Sequence, residues 1–206
     1  MFKLFEPDGL FARGMCYVYY LVVINVLWLL CSLPIVTFGA SSAALYACLF
    51  RLREGDDNRP VRRFFAAFGE NWKRATAAWL VVLAALALLL FDWYFAAVTG
   101  RKVWKIIAVG GLQVVGMVCT FLFALVARYD NSWRVHLKNA LLLAVGNLPR
   151  VLVCWLFWGA AFCLTVWTYE TFHAMVLVWL IFAYSFFSFW NLRILRPVFD
   201  RLEGNE

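Results

Sequence analysis

Acid–base chemistry is the first function that the residue types of this sequence raise. Asp92 lies near the end of a long apolar run, and Glu170 and His173 lie in a short link between two further apolar runs. A carboxylate beside a histidine can transfer protons. However, no nucleophile, metal motif or phosphate-binding loop accompanies these residues in the sequence. We therefore expect a protein that is not an enzyme.

The cysteines and histidines do not form a metal-binding pattern. The six cysteines are scattered through apolar runs without a CxxC pair, and the two histidines, His136 and His173, are far apart. Zinc sites use clustered ligand spacings, so we expect no metal and no other cofactor. The net charge of +7 comes from basic residues that flank apolar runs. That placement indicates membrane topology and anionic lipid, and we expect no nucleic-acid partner.

A second group of candidate residues is polar but uncharged. Asn25 and Gln113 lie inside apolar runs, and Thr37 lies in an interruption between two of them. Within a membrane such residues form hydrogen bonds between helices, each worth about 0.6–2 kcal/mol, or line a substrate pathway. A transporter would need them to form a continuous polar track, whereas helix packing would not.

The apolar runs predict the elements that carry these residues. Of the 206 residues, 65% are hydrophobic and 15% are charged, whereas soluble domains average about half apolar and a quarter charged. We therefore predict a single all-α domain, 1–206, that forms a multi-pass helical bundle in the cell membrane. Five runs reach the roughly 20 residues that a bilayer requires: 15–33, 75–98, 103–127, 150–168 and 174–192.

The distribution of Lys and Arg predicts the orientation of these spans. Fourteen of the 19 basic residues fall in the 50–75 segment, the 128–150 link and the tail, and five fall on the other side. Because cytoplasmic loops are enriched in Lys and Arg, we expect the C-terminus inside and the N-terminus outside. A further crossing by residues 34–50 would place the N-terminus inside instead.

The segment "CSLPIVTFGASSAALY" interrupts the first apolar run. Pro34 ends or bends a helix, Gly39 permits a positive φ or a close neighbour, and Ser41 or Ser42 can cap a new helix. We predict a first span that ends near residue 33 and a short helix, 41–53, that lies in the inner interface or tucks back under the bundle. The alternative is a re-entrant segment that lines a polar cavity.

Two stretches before later spans are amphipathic. "RPVRRFFAAFGENWKRA" places Phe64, Phe65 and Phe68 among basic residues, and "NSWRVHLKNALLLAVGNLPR" has a similar character. We predict that residues 60–74 form a helix lying flat on the inner surface. Its basic residues are candidate contacts for lipid or a partner: Arg62, Arg63, Lys73 and Arg74.

These two stretches also align with each other at an offset of 76 residues. Asn71 then matches Asn147, and Trp79 matches Trp155. Units 60–128 and 136–203 would each contain one amphipathic helix and two spans, in the same orientation, as a parallel internal repeat. Chance agreement between apolar segments is the alternative. Asn147 joins the candidate polar residues on the strength of this alignment.

The segment "NVLWLLCSLPIVTFGASSAALY" and the pattern F-x-x-F-x-x-N-W-K from Phe65 to Lys73 resemble the YesL-like family of bacterial membrane proteins. The later "LKNALLLAVGNLP" and "FWNLRILRPVFD" are also similar to that family. The resemblance implies a small multi-pass protein of unknown molecular function, often encoded near carbohydrate uptake systems of the ABC type. It supplies no catalytic or binding residues.

Three functions remain open from the sequence. The first, which we favour, is a non-enzymatic accessory or assembly component of ABC-type carbohydrate uptake, with the lipid bilayer and sugar transporter subunits as partners. The second is a small transporter whose site lies between the two repeats, near residues 34–42. The third is a membrane enzyme that uses Asp92, Glu170 and His173. The oligomeric state does not follow from the sequence.

Overall fold

The computed structural model describes residues 10–55, 59–167, 173, 176 and 178–204. These ranges contain seven α-helices and no strand, which confirms the all-α prediction. The helices are α1 (Leu10–Ser32), α2 (Phe38–Arg53), α3 (Pro60–Thr99), α4 (Lys102–Arg128), α5 (Trp133–Gly146), α6 (Leu148–Val166) and α7 (Tyr184–Leu202). A 3₁₀ turn, Ile35–Thr37, precedes α2, and a π-helical turn, Trp179–Ala183, precedes α7.

Five helical segments in the described ranges are long and apolar enough to cross a membrane. They are Gly14–Ser32, Ile35–Arg53, Pro60–Thr99, Lys102–Arg128 and Leu148–Val166. The chain is therefore a multi-pass helical membrane protein, as predicted. Four of these segments contain or nearly coincide with predicted spans. The remaining predicted span, 174–192, lies partly outside the described residues, and its part from 178 onward is helical.

The segment after the interruption lies in the centre of the bundle. The prediction of an interfacial helix at 41–53 is wrong, because α2 packs against α1, α3, α4 and α7. Eleven of its 16 residues are buried. The run of small residues from Gly39 to Ala44 explains this position, because small side chains let neighbouring helix backbones approach closely in a membrane.

The two serines of this segment hold helices together and do not cap one. Ser41 Oγ lies 2.6 Å from Ser32 Oγ at the end of α1. Trp28 Nε1 donates to Ser42 Oγ at 3.1 Å, and the Trp28 ring stacks on Tyr184 of α7 at 3.7 Å between centroids. The prediction that a serine caps α2 is therefore wrong, since the helix begins before both serines.

The helix α3 is a single rod of 40 residues. At 1.5 Å per residue it is about 60 Å long, about twice the hydrocarbon thickness of a bilayer. The prediction of a separate helix at 60–74 lying flat on the membrane is wrong, because these residues continue into the span without a break. Phe64, Asn71, Ala75 and Ala78 are buried along one side of the rod, at the spacing of an amphipathic helix.

The second amphipathic stretch is a separate helix, as predicted. Helix α5 ends at Gly146, and α6 begins at Leu148 with Pro149 in its first turn. Proline lacks the N–H that a continuous helix would use at that position. Lys73 occupies the matching position in α3, which explains why the first unit is continuous and the second is broken.

One end of the bundle collects most of the arginines. Arg128 at the end of α4 pairs with Glu203 after α7 and lies 3.9 Å from Glu54 after α2. Tyr17 of α1 lines the same cavity as Arg196 of α7. We call this end, formed by the start of α1 and the ends of α2, α4 and α7, the basic end. Helix α1 thus starts where α7 ends, although the charge count had placed the two termini on opposite sides.

Candidate functional site

The Asn25 side chain forms hydrogen bonds through both its amide nitrogen and its amide oxygen. Its amide nitrogen donates to the carbonyl oxygens of Trp179 (3.3 Å) and Leu180 (2.8 Å), and its amide oxygen accepts from the Ser185 N–H at 2.8 Å. These partners lie in and just after the π-helical turn, where the backbone hydrogen-bond pattern is irregular. Asn25 therefore stabilises a non-standard turn at membrane depth, which requires internal hydrogen bonds.

The turn between α1 and α2, which contains Pro34 and Thr37, is also stabilised by internal hydrogen bonds. Thr37 Oγ1 hydrogen-bonds to the carbonyl oxygens of Cys31 (2.5 Å) and Pro34 (2.8 Å). The Pro34 carbonyl also accepts from the Thr37 N–H at 2.9 Å. Gly39 faces Trp79 at close range, and its φ is not positive. Of the two reasons predicted for Gly39, the close neighbour is confirmed, and these residues serve the turn between α1 and α2.

Gln113 and Asp92 do not meet the other polar residues. Gln113 of α4 is exposed on the surface of the bundle. Asp92 of α3 is half-buried, and no ion pair joins it to Arg101, Lys102 or Lys105 in the described part of the chain. The continuous polar track through Thr37, Asn25 and Gln113 that a transporter would need is therefore not formed, because each residue lies in a different environment.

The acid–base group cannot be assembled from the described residues. Glu170 lies outside them, and His173 is exposed. Within the described ranges, no three His, Cys, Asp or Glu side chains form a group that could hold a metal ion. All six cysteines are free.

Asn147 and Asn71 make the same local contacts. Asn71 Nδ2 donates to the Ala67 carbonyl at 2.9 Å and Asn71 Oδ1 accepts from Arg74 at 3.4 Å. In the second stretch, Asn147 Nδ2 donates to the Leu143 carbonyl at 3.0 Å and Asn147 Oδ1 accepts from Arg150 at 2.6 Å. Both asparagines thus bridge the preceding turn to an arginine three residues later.

The two matching tryptophans also have matching surroundings. A Cβ built on Gly39 of α2 would lie 2.5 Å from Trp79 Cβ, and one on Gly116 of α4 would lie 2.9 Å from the Trp155 ring. Trp79 Nε1 donates to the Ile35 carbonyl at 2.7 Å, and Trp155 Nε1 donates to Thr120 Oγ1 at 3.2 Å. Trp79 of α3 therefore packs on Gly39 of α2, and Trp155 of α6 packs on Gly116 of α4.

A large cavity at the basic end is the strongest candidate site. Its volume is about 730 Å³, and it lies between the end of α2, the start of α3 and the end of α4. Alanine and phenylalanine side chains form part of its wall. Among the described residues, five arginines and two glutamates line it: Arg51, Arg59, Arg62, Arg63, Arg128, Glu54 and Glu70. We call it the arginine cavity.

Two of the four basic residues predicted to contact lipid or a partner line this cavity, and two do not. Arg62 and Arg63 line it, whereas Arg74 pairs with Asp130 and Lys73 is an exposed residue beyond the lining. Sequence reasoning counted Arg51, Arg59 and Arg128 for topology alone and missed that they converge. The spacing of Arg59, Arg62 and Arg63 on one helix could have indicated a shared face, but the approach of α2 and α4 could not be inferred.

Arg128 has defined partners at the edge of the arginine cavity. Its Nη2 donates to Glu203 Oε2 at 2.8 Å, and its guanidinium lies 4.8 Å from the centre of the Phe50 ring. The hydroxyl of Tyr129 also donates to Glu203, at 3.2 Å. These hydrogen bonds lower the pKa of Glu203. The carboxylate that neutralises Arg128 thereby ties α4 to the end of α7.

A second cavity lies between α2, α3, α4, α6 and α7 and is mainly aromatic. It has a volume of about 360 Å³. Trp79 and Trp155, the matching residues of the two units, both line it, as does Phe38 next to the interruption. Its other aromatic and polar residues are Tyr46, Thr120, Phe123, Trp158, Tyr184 and Asn191. The sequence did not single out this set, because the residues come from five different helices.

Residues 21–93, from within α1 through most of α3, match the model of a family described as "Protein of unknown function, DUF624". No curated protein and no solved structure matches the chain. The matched region includes the interruption, the central helix α2 and the contact between Gly39 and Trp79. The similarity therefore covers the structural centre of the bundle and one wall of each of the two cavities.

Proposed function

We propose that the chain is a non-enzymatic accessory or assembly component of the cell membrane that binds an acidic segment of a partner protein in its arginine cavity. The observation that supports this most directly is the composition of the described lining of the cavity, where four arginines remain against Glu54 and Glu70 after Glu203 has neutralised Arg128. Electrostatic complementarity of this kind gives specificity and fast association.

The partner that we propose is a subunit of an ABC-type carbohydrate uptake system. This choice rests on the family resemblance of the sequence. The mode of binding rests on shape, because the first half of α3 extends the rod beyond the length that a bilayer needs and presents Arg59, Arg62 and Arg63 on one wall of the cavity. An acidic helix or loop of a partner could reach all three.

The orientation that we propose places the basic end in the cytoplasm. Helix α1 starts at the same end as the tail, so Lys3 and Arg13 would join the majority of basic residues on that side. Arg101, Lys102 and Lys105 would then be the basic residues of the outer side. The basic residues are then divided between the two sides of the membrane more unevenly than in the topology with five spans. This division agrees better with the enrichment of Lys and Arg in cytoplasmic loops. Both termini would be cytoplasmic.

Copurification from native membranes after crosslinking tests the partner. The wild-type chain should retain transporter subunits, and the Arg59→Glu/Arg62→Glu variant should lose most of them, more strongly at low salt because exposed charges are screened by salt. The matched control is Arg101→Glu/Lys102→Glu, which makes the same change of charge at the other end. Equal retention by both variants would contradict the proposal.

A small transporter is the second candidate. The polar track through Thr37, Asn25 and Gln113 is not formed, so a transport site would have to lie in the aromatic cavity instead. The cavity lies between Trp79 and Trp155 of the two units, where a repeat-based transporter would place its site. Uptake of labelled monosaccharides by proteoliposomes tests this function. Tyr46→Phe and Trp158→Ala should reduce uptake, whereas the Gln113→Leu control at the bundle surface should not. Absence of uptake by the folded wild-type protein would exclude these substrates.

A further inference from the structure

A third cavity, separate from the arginine cavity, lies on the other side of α2. It has a volume of about 400 Å³ and lies between the start of α1 and the last turns of α2 and α7. Its lining combines three arginines with apolar and aromatic residues: Tyr17, Arg53, Phe189, Arg193, Arg196 and Pro197. Nothing in the proposed partner-binding function uses it.

The three arginines line the same space. Arg53 Nη1 donates to the Leu192 carbonyl of α7 at 3.3 Å, which fixes the end of α2 against that helix. The Arg193 guanidinium lies 5.2 Å from the centre of the Trp190 ring. Arg193 and Arg196 are three residues apart on α7 and therefore project from the same side of it.

The cations of this cavity outnumber the acids around it. Arg196 pairs with Asp200 at 3.1 Å. Arg53 and Arg196 also line a neighbouring cavity of about 170 Å³ together with Asp200 and Glu54, so two described acids lie near the three arginines. No aspartate or glutamate is among the residues that line the three-arginine cavity in the described part of the chain. Like charges that line one cavity repel one another, so a bound anion would stabilise the arrangement.

The position and the lining indicate the chemistry of the anion. The cavity lies at the end of the membrane-spanning part of α1, where the polar headgroups of a bilayer begin. Basic pockets between transmembrane helices on the cytoplasmic side bind anionic lipid headgroups, and arginine matches phosphate oxygens with a planar fork of donors. Phe189 and Pro197 would contact the apolar part of such a lipid.

We propose that Arg53, Arg193 and Arg196 form a binding site for a phosphate group, carried by an anionic phospholipid or by a free phosphate. Arg53 donates from the bundle side, and the two arginines of α7 donate from the membrane surface. The site does not depend on the partner-binding function, since its arginines do not line the arginine cavity.

Native mass spectrometry of the full-length protein in detergent tests the lipid source. With phosphatidylglycerol, the wild type should retain bound lipid, and with phosphatidylcholine it should not. The Arg193→Gln/Arg196→Gln variant should lose affinity at least about tenfold, because each basic residue near an anionic surface contributes about a factor of five. Arg53→Lys should bind better than Arg53→Gln, since it keeps the charge.

A phosphate titration in phosphatidylcholine nanodiscs tests the other source. Inorganic phosphate should raise the melting temperature of the wild type and not that of the double variant if free phosphate is the ligand. The matched control is Arg134→Gln/Lys138→Gln, which removes two basic residues of α5. Lipid retention or phosphate stabilisation that is lost in the α7 variant alone supports the site. Neither effect in the wild type, or equal loss in the control, overturns it.

Discussion

The Trp79 side chain lies directly on Gly39. A Cβ built on the glycine would lie 2.5 Å from Trp79 Cβ and 2.7 Å from the Ala75 carbonyl oxygen, and Trp79 Nε1 donates to the Ile35 carbonyl at 2.7 Å. One side chain of α3 thus packs on the first turn of α2 and satisfies a carbonyl of the interruption before it. This contact fixes the turn between the candidate spans Gly14–Ser32 and Ile35–Arg53.

Gly39→Ala should destabilise the protein by about 1–3 kcal/mol, because the added methyl group overlaps backbone and Cβ atoms that cannot move independently. Gly159→Ala is the matched control. Gly159 is also helical, but nothing lies within 4 Å of its added Cβ, so alanine there should be neutral or stabilising by up to about 1 kcal/mol. Equilibrium unfolding in detergent measures both. Equal effects would show that the glycine contact is not responsible.

Thr37→Val should cost about 1 kcal/mol, the usual contribution of a hydrogen bond. The threonine hydroxyl bonds to the carbonyls of Cys31 and Pro34, but other contacts also close the turn. The same unfolding measurement applies. If Thr37→Val lowered the free energy of unfolding more than Gly39→Ala, the hydroxyl, and not the packing of Trp79, would be the main stabiliser of the turn.

Some features of the fold follow from local sequence and others do not. Pro34 and Pro149 mark two helix breaks, because proline removes a backbone donor, although Pro197 lies inside α7 without ending it. The burial of α2 depends on Trp79 of α3 and Tyr184 of α7, which are distant in sequence. A short helix of small residues ending in Arg51 and Arg53 has the composition of an interfacial helix. Only the helices that pack against it place it in the centre of the bundle and not at the membrane interface.

For the candidate site too, the sequence could not show which polar residues meet another helix, as Asn25 and Gln113 illustrate. Both are amides inside apolar runs, and the sequence assigned them the same roles. The structure gives Asn25 three backbone partners and leaves Gln113 exposed. The helix face that meets another helix decides the difference, and that face depends on how the helices are arranged.

Asn25→Leu should therefore destabilise the bundle by about 2 kcal/mol, because it removes hydrogen bonds that are each worth about 0.6–2 kcal/mol in membranes and leaves the Ser185 N–H buried without its partner. Gln113→Leu is the matched control and should have little effect. Unfolding of both variants in the same detergent measures the difference. A larger loss for Gln113→Leu would contradict the packing described for α1 and the π-helical turn.

Cysteine accessibility tests the orientation that we propose. In a cysteine-free background, cysteines at Gly14 and Gly204 should react with a membrane-impermeant reagent only from the cytoplasmic side, and a cysteine at Gly100 only from outside. The reason is that Gly14 and Gly204 belong to the basic end, whereas Gly100 lies between α3 and α4 at the other end. Labelling of Gly14 and Gly204 from opposite sides would restore the topology expected from five spans.

Stability should fall in mildly acidic solution because of His136. This side chain is buried in α5, and its Nε2 has no hydrogen-bond partner in the described part of the chain. Burial lowers its pKa, and the positive charge of Arg74 lowers the pKa further, while a hydrogen bond with the Asn131 backbone acts in the opposite direction.

The sign of the effect follows from proton binding. Because the folded pKa lies below the ordinary value of about 6.5, the unfolded chain binds more protons as the pH falls below that value. The unfolding midpoint should therefore decrease between about pH 7.5 and pH 5.5. Glu203 does not account for this window, since Arg128 lowers its pKa and its contribution is lost only below about pH 4.5.

A variant at His136 and a control at an exposed amide test this source. His136→Gln removes the titrating group from the buried position, so its unfolding midpoint should change less between about pH 7.5 and pH 5.5 than that of the wild type. Gln113→Leu alters an exposed residue without a titrating group and should keep the wild-type pH dependence. Thermal unfolding in detergent across this range measures all three proteins. If His136→Gln kept the wild-type pH dependence, the buried position of His136 would not be the source of the acid sensitivity.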